Sequence, residues 1–167
     1  MKEKLYSRYV KYYHKIEHLR GATRLKDFLK RLAIADLDGF EGSPESFFEK
    51  EWDNLIILDA CRSDCYREFF PESGKAVSLA SCSRGFIEKE FSEGDFSDTV
   101  YITTNPHFSE KKFKEITGRE IEDVFHEVFH TYKTDWDDEK GTVMPEPVIR
   151  DTNTAEKLYP DKKKVIH

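Results

Sequence analysis

The chain has 167 residues, 36 % of them charged and 38 % hydrophobic, and a formal net charge of −6. That length holds one ordinary domain with a real core. No apolar run approaches the roughly 20 residues a membrane span needs, and no apolar segment follows the basic N-terminus as in a secretory signal. Three cysteines without a secretory signal point to reduced thiols in a cytoplasmic protein rather than to a disulfide framework.

Residues 1–31 carry a local net charge of +7, which leaves −13 on the rest. Leu5, Tyr9, Tyr12, Tyr13, Ile16 and Leu19 recur at helical spacing, and Leu25, Phe28, Leu29 and Leu32 repeat the pattern after Gly21. This predicts one or two helices over 3–34. Such a basic amphipathic arm suits packing on its own domain or peripheral contact with an anionic membrane surface. The acidic remainder argues against nucleic acid as a partner. Turn signals at Asp38-Gly39 and Gly42-Ser43-Pro44 mark a connector, with Ser43 a candidate helix cap, so the organisation expected is an arm and connector over 1–51 and a domain over 52–167.

The most informative stretch follows. Leu55-Ile56-Ile57-Leu58 runs straight into Asp59. A short unbroken apolar run predicts a strand buried on both faces in the middle of a parallel sheet. Asp59 would then stand at the carboxyl end, the edge where α/β sheets hold ligands. A carboxylate there needs a positive partner, and a divalent metal is the natural one. A helix over 61–70 stops before Pro71, with Cys61 and Cys65 expected as small core residues. The pattern then predicts a strand over 76–80, a helix over 84–91, a strand over 98–103 and a helix from Ser109 to Thr117 closed by Gly118. Residues 124–133 fit either strand or helix. An acidic loop with Trp136 spans 135–141, a helix spans 145–158 with Pro147 in its first turn, and Lys163 to His167 looks like the start of a strand. Strands alternating with helices indicate an α/β fold with a doubly wound, mostly parallel sheet.

Other constellations carry less. His126 and His130 are four apart but match no zinc-protease order, and Asp135, Asp137, Asp138 and Glu139 lack the spacing of a calcium loop.

The order of motifs carries a resemblance. Asp59-Ala60-Cys61-Arg62-Ser63-Asp64 after the first strand looks like the first metal motif of the alkaline phosphatase-like superfamily, and most resembles its archaeal sulfatase-like branch. Ser81-Cys82-Ser83-Arg84-Gly85-Phe86 stands where that family has its nucleophile loop. Thr103-Thr104-Asn105-Pro106-His107, Trp136 with Gly141-Thr142-Val143, and Tyr159-Pro160-Asp161-Lys162 agree as well. The resemblance covers about residues 52–167. It implies a hydrolase or transferase of phosphate or sulfate esters that works through a covalent intermediate, with one or two divalent metals such as Zn, Mn, Mg or Ca.

In that frame Asp59 is a metal ligand and Ser83, Cys82 and Ser81 are the candidate nucleophiles. Cys82 lacks the Pro and Arg that direct conversion to formylglycine in sulfatases. Arg84, Asn105 and His107 are candidates for binding substrate. The family also carries a late Asp-His-Gly segment, which is absent here. The expectation is therefore the N-terminal fragment of a longer enzyme, an incomplete form of that fold with little turnover and a tendency to self-associate. A catalytically inactive binding or membrane-docking relative is the alternative.

Overall fold

The computed structural model describes residues 44–59, 61–74, 76–80 and 82–167. The expected arm over 3–34, the cap at Ser43 and the candidate Ser81 lie outside these residues.

Four parallel strands form the sheet: β1 (Asn54–Ile56), β2 (Phe96–Thr103), β3 (Phe125–His130) and β6 (Lys163–Ile166), in the order β1-β6-β2-β3. The register pairs Leu55 with Val165, Val165 with Tyr101, and Tyr101 with Val128. Two short strands, β4 (Trp136–Asp137) and β5 (Thr142–Val143), make a separate antiparallel hairpin. The helices are α1 (Ser63–Phe69), α2 (Ser83–Phe91), α3 (Glu110–Thr117), the single turn α4 (Tyr132–Asp135) and α5 (Pro145–Leu158).

Period-two alternation along β2 and β6 builds two cores. Tyr101 and Val165 face α2 and α3, where Phe86, Ile87, Phe91, Phe108, Phe113 and Phe125 close the larger, strongly aromatic core. Phe91 meets Tyr101 edge-on, with ring centroids 5.8 Å apart. Val100 and Ile102 point the other way, onto Ala155 of α5. Helices thus cover both faces of a parallel sheet, as the alternation of elements requires. Local signals set several boundaries. Pro145 occupies the first turn of α5, where its missing N–H costs nothing. Gly118 ends α3 in the left-handed conformation at φ 75°.

Four expectations are corrected. The run 55–58 is not a central strand: β1 is a sheet edge that pairs with β6 alone among the described residues. Leu55 and Ile57 pack into the aromatic core, while Ile56 and Leu58 stay 68 % and 55 % exposed. Residues 76–80 form an isolated bridge between Val77 and Pro44, not a strand: Glu45 N–H donates to Val77 O, and the partner segment then turns into the 3₁₀ helix Phe47–Glu49 behind its Ser46 cap. The acidic loop is the hairpin β4–β5. Its turn is held by the Asp137 carboxylate, which accepts from the N–H groups of Glu139 and Lys140, and by Gly141 at φ 65°. Cys61 and Cys65 are exposed: Cys61 precedes α1, and α1 buries none of its residues. The ambiguous stretch 124–133 resolves as β3 followed by α4.

Candidate functional site at the carboxyl edge of the sheet

All four parallel strands end on the same side, so the residues that follow them share one edge. Asp59 follows β1, His167 follows β6, and Thr104 and Asn105 follow β2. Backbone hydrogen bonds carry the ladder into this edge: Ile57 N–H donates to Ile166 O (2.8 Å), His167 N–H to Ile102 O (2.8 Å) and Thr104 N–H to His167 O (2.8 Å).

Asp59 and Asn105 come together here. Asn105 Nδ2 lies 3.4 Å from Asp59 Oδ2, and His167 Nε2 lies 3.8 Å from the same oxygen. Asn105 is buried and its other amide atom is also used. Oδ1 accepts the His107 N–H (2.9 Å) and lies 3.2 Å from His107 Nδ1, capping the 3₁₀ turn Pro106–Phe108. Asn105 thereby ties His107 to Asp59. The Asp59 side chain is 55 % exposed, whereas that of His167 is 4 % exposed.

His167 was missed at the sequence level, and so was the group that holds it. The Tyr101 hydroxyl lies 2.9 Å from His167 Nδ1. The imidazole is boxed in by the rings of Phe86, Phe108 and Tyr101, at centroid distances of 5.8–6.0 Å. This burial pushes the His167 pKa below its usual value, against the opposing charge of Asp59, so the ring is neutral at pH 7. Burial, with Asp59 and Glu90 adding to it, raises Tyr101 well above the ordinary phenol range, so its hydroxyl keeps its proton.

The nucleophile candidates sit at the start of α2. Cys82 is its exposed N-cap residue and makes no side-chain capping bond; Ser83 is its first residue and half-buried. Ser83 lies one turn before Phe86, on the same helix face. The Phe86 ring is the one that meets His167. A close approach supports this start of the helix: a Cβ on Gly85 would come within 3.0 Å of the Ala80 Cβ. Arg84 pairs with Glu115 of α3 at 3.0 Å.

A divalent ion would find a hard oxygen donor in Asp59. Among the described residues the Asn105 hydrogen bond and the longer approach of His167 both fall on Oδ2 of that carboxylate, which leaves Oδ1 open. Among the described residues no group of three or more His, Cys, Asp or Glu side chains is arranged to hold a metal. The groups that face one another at this edge are one carboxylate, one amide and one imidazole.

A second cluster follows β3. His130 Nε2 lies 3.5 Å from Glu110 Oε1, and Lys133 Nζ lies 2.6 Å from the same oxygen. Burial lowers the His130 pKa. His126 meets the Tyr159 ring edge-on, with centroids 5.0 Å apart.

A cavity of about 310 Å³ lies at the opposite, amino edge, lined by Phe48, Trp52, Phe96, Asp98 and Lys163, so it takes no part in the Asp59 site. Among the described residues no helix is long and apolar enough to cross a membrane. Comparisons of the chain with family models, with curated proteins and with solved structures gave no match.

Proposed function

We propose that this chain carries the metal- and substrate-holding edge of a hydrolase or transferase of phosphate or sulfate esters, of the alkaline phosphatase-like kind. The observation that carries the reading is the meeting of Asp59, Asn105 and His167 on one carboxylate oxygen at the carboxyl edge of a parallel sheet. Asp59 would hold a divalent ion, which when bound would supply positive charge to lower the pKa of a neighbouring hydroxyl and offset charge on the ester's oxygens. Ser83 is the proposed nucleophile. Its Oγ forms a bond to phosphorus or sulfur as the ester's alkoxide leaves, and water then releases the bound group. The backbone N–H groups at the start of α2 are aimed to receive an anionic oxygen. Asn105 Nδ2 is a second donor for the same oxygens, or for Asp59. His107, fixed by Asn105, is the candidate proton carrier to the leaving group.

The test is hydrolysis of aryl phosphate and aryl sulfate by the purified chain with Mn²⁺, Zn²⁺ or Mg²⁺, run beside Asp59→Ala and Ser83→Ala. Metal-dependent turnover lost in both variants supports the reading. Turnover indifferent to both sinks it. A second reading, a catalytically inactive relative that binds through this edge, is favoured by the small number of metal donors among the described residues. It predicts Asp59-dependent retention of Mn²⁺ without turnover.

A further inference from the structure

We infer that the cavity at the amino edge of the sheet binds a linear alkylammonium ligand, of the diamine or polyamine class. It lies at the other end of the strands from Asp59, and the inference does not rest on the ester reading above.

The starts of three neighbouring strands build it. Trp52 stands just before β1, Phe96 and Asp98 open β2, and Lys163 opens β6, while Phe48 comes from the 3₁₀ helix Phe47–Glu49. Strand β2 is irregular here. Phe96 pairs with Phe125 but Val100 pairs with Glu127, so β2 advances by more residues than β3 over the same stretch. Such a bulge frees residues 97–99 from strict alternation and re-aims them. Ser97, Asp98 and Thr99 all border the cavity, which regular alternation would not allow. The aromatic walls are fixed by the core. Phe96 packs on Phe91 and Phe125 at centroid distances of 5.2 and 5.7 Å, and Phe48 meets Phe96 and Trp52 edge-on at 5.4 and 6.0 Å. The volume, about 310 Å³, stands at the lower end of the roughly 300–1,000 Å³ of small-molecule sites, so the ligand is small.

Charge decides the class of ligand. Lys163 Nζ lies 3.0 Å from Asp98 Oδ2 and 5.6 Å from the Trp52 ring centroid. The chain itself thus already seats one alkylammonium between a carboxylate and an indole face. Asp95 is the second carboxylate of the lining. Its Oδ1 accepts the Ser97 N–H at 2.9 Å, and among the described residues it has no ion-pair partner. The other cations close by are engaged with backbone: Lys162 Nζ donates to Ser97 O at 3.4 Å and Arg119 to Gly94 O at 2.8 Å. Hydrogen bonds from Ser97 hold the Asp95 carboxyl below its ordinary range. Burial works to raise Asp98, but hydrogen bonds from Lys163 and Thr99 outweigh it and hold that carboxyl low as well. Both are therefore charged at neutral pH, and the lining carries two carboxylates against one ammonium. An anion would meet both acids, and a neutral apolar ligand would strip water from them without replacing it. A diamine answers both sites: one ammonium at Asp95, the methylenes along the aromatic wall, and the other ammonium sharing Asp98 with Lys163.

The experiment uses the full chain carrying Trp136→Phe, which leaves Trp52 as its one tryptophan. Trp52 fluorescence is followed as putrescine is added, with butanediol as the neutral probe and inorganic phosphate as the anionic one, and calorimetry gives the stoichiometry. Melting curves check that each variant is folded. Expected is saturable one-to-one binding of putrescine, with no response to butanediol or phosphate at the same concentrations. Asp95→Asn should weaken binding about ten-fold, the loss of one charge-assisted hydrogen bond. Lys163→Met takes the chain's own ammonium from Asp98 and should tighten binding about two- to five-fold. Glu146→Gln, an exposed charge on α5 outside the cavity, should change nothing. A response to butanediol equal to that of putrescine, or no saturable binding at all, overturns the inference. So does weaker binding in Lys163→Met, which would mark the lysine as the ligand's partner and the site as one for anions. Unchanged binding in Asp95→Asn, or a loss in Glu146→Gln as large as in Asp95→Asn, overturns it too, since either means diffuse attraction to an acidic chain.

Discussion

Asn105 is the residue on which the edge turns, since one amide serves the 3₁₀ cap with Oδ1 and Asp59 with Nδ2. Replacing it by Asp keeps the cap, because a carboxylate oxygen accepts the His107 N–H as well as an amide oxygen does. It also replaces a donor with a second negative charge beside Asp59. Like charges at this distance repel, although the exposure of Asp59 screens them to about 1–2 kcal/mol. Asn105→Asp should therefore melt at a lower temperature than wild type at pH 7 in chelator. It should gain more from added Mn²⁺, which a pair of carboxylates holds better than one. Equal Mn²⁺-induced shifts in the two proteins would count against a cation position at this edge. Asp59 stands out in the sequence as an acid closing an apolar run, whereas Asn105 enters through the resemblance carried by Thr103 to His107. His167 closes Val165-Ile166 in the same manner, although the pattern there reads as the start of a strand. Tyr101 gave no local signal, as its role comes only from the register that lays β6 beside β2.

At the level of elements, β6 shows how a strand with two leading lysines enters the middle of a sheet. Lys163 turns to one side, pairing with Asp98 at 3.0 Å and lying 5.6 Å over the Trp52 ring. Lys164 turns to the other, its side chain 4 % exposed and its Nζ 2.8 Å from Glu156 of α5. The ammonium also donates to Pro160 O at 3.3 Å. Glu156→Ala would leave a buried charge on one carbonyl, so a loss of about 1–3 kcal/mol is expected. Glu146→Ala, exposed on the same helix, should change stability by no more than about 0.5 kcal/mol. Lys164→Met removes the charge with the stem retained and should restore the loss in the Glu156→Ala background. Denaturant titration of the four proteins measures all three; similar losses for Glu156→Ala and Glu146→Ala would show the pair to be idle. Elements with punctuation of their own, such as α5 between Pro145 and Tyr159, were legible to the residue. The place of β1 was not, because an apolar run reports burial of its side chains and says nothing of how many strands lie beside it.

Across the whole described unit, one charge is out of keeping with the aromatic core that joins α2 and α3 to the sheet. Glu90 is 6 % exposed on the core face of α2. Its Oε2 accepts from Ser46 Oγ at 2.5 Å, and Oε1 is buried without a partner among the described residues. Burial raises its carboxyl above the ordinary range, the nearby charge of Glu49 adds to the rise, and the Ser46 hydroxyl opposes it. The native state therefore holds this proton more tightly than the unfolded chain does. Stability is full below the unfolded value near 4.5 and is lost as pH rises through the native one. His130 works in the other direction. Burial lowers its pKa, so it detracts from stability as pH falls below about 6.5. Glu90→Gln keeps an oxygen for Ser46 and cannot ionise, so it should flatten the alkaline side of the profile and leave the His130 side in place. The variant is expected to melt above wild type at pH 7 and level with it near pH 4, with the difference opening between those values. Melting temperatures that differ by the same amount at both ends would mean that Glu90 does not titrate in the core, and the decline with rising pH would need another group.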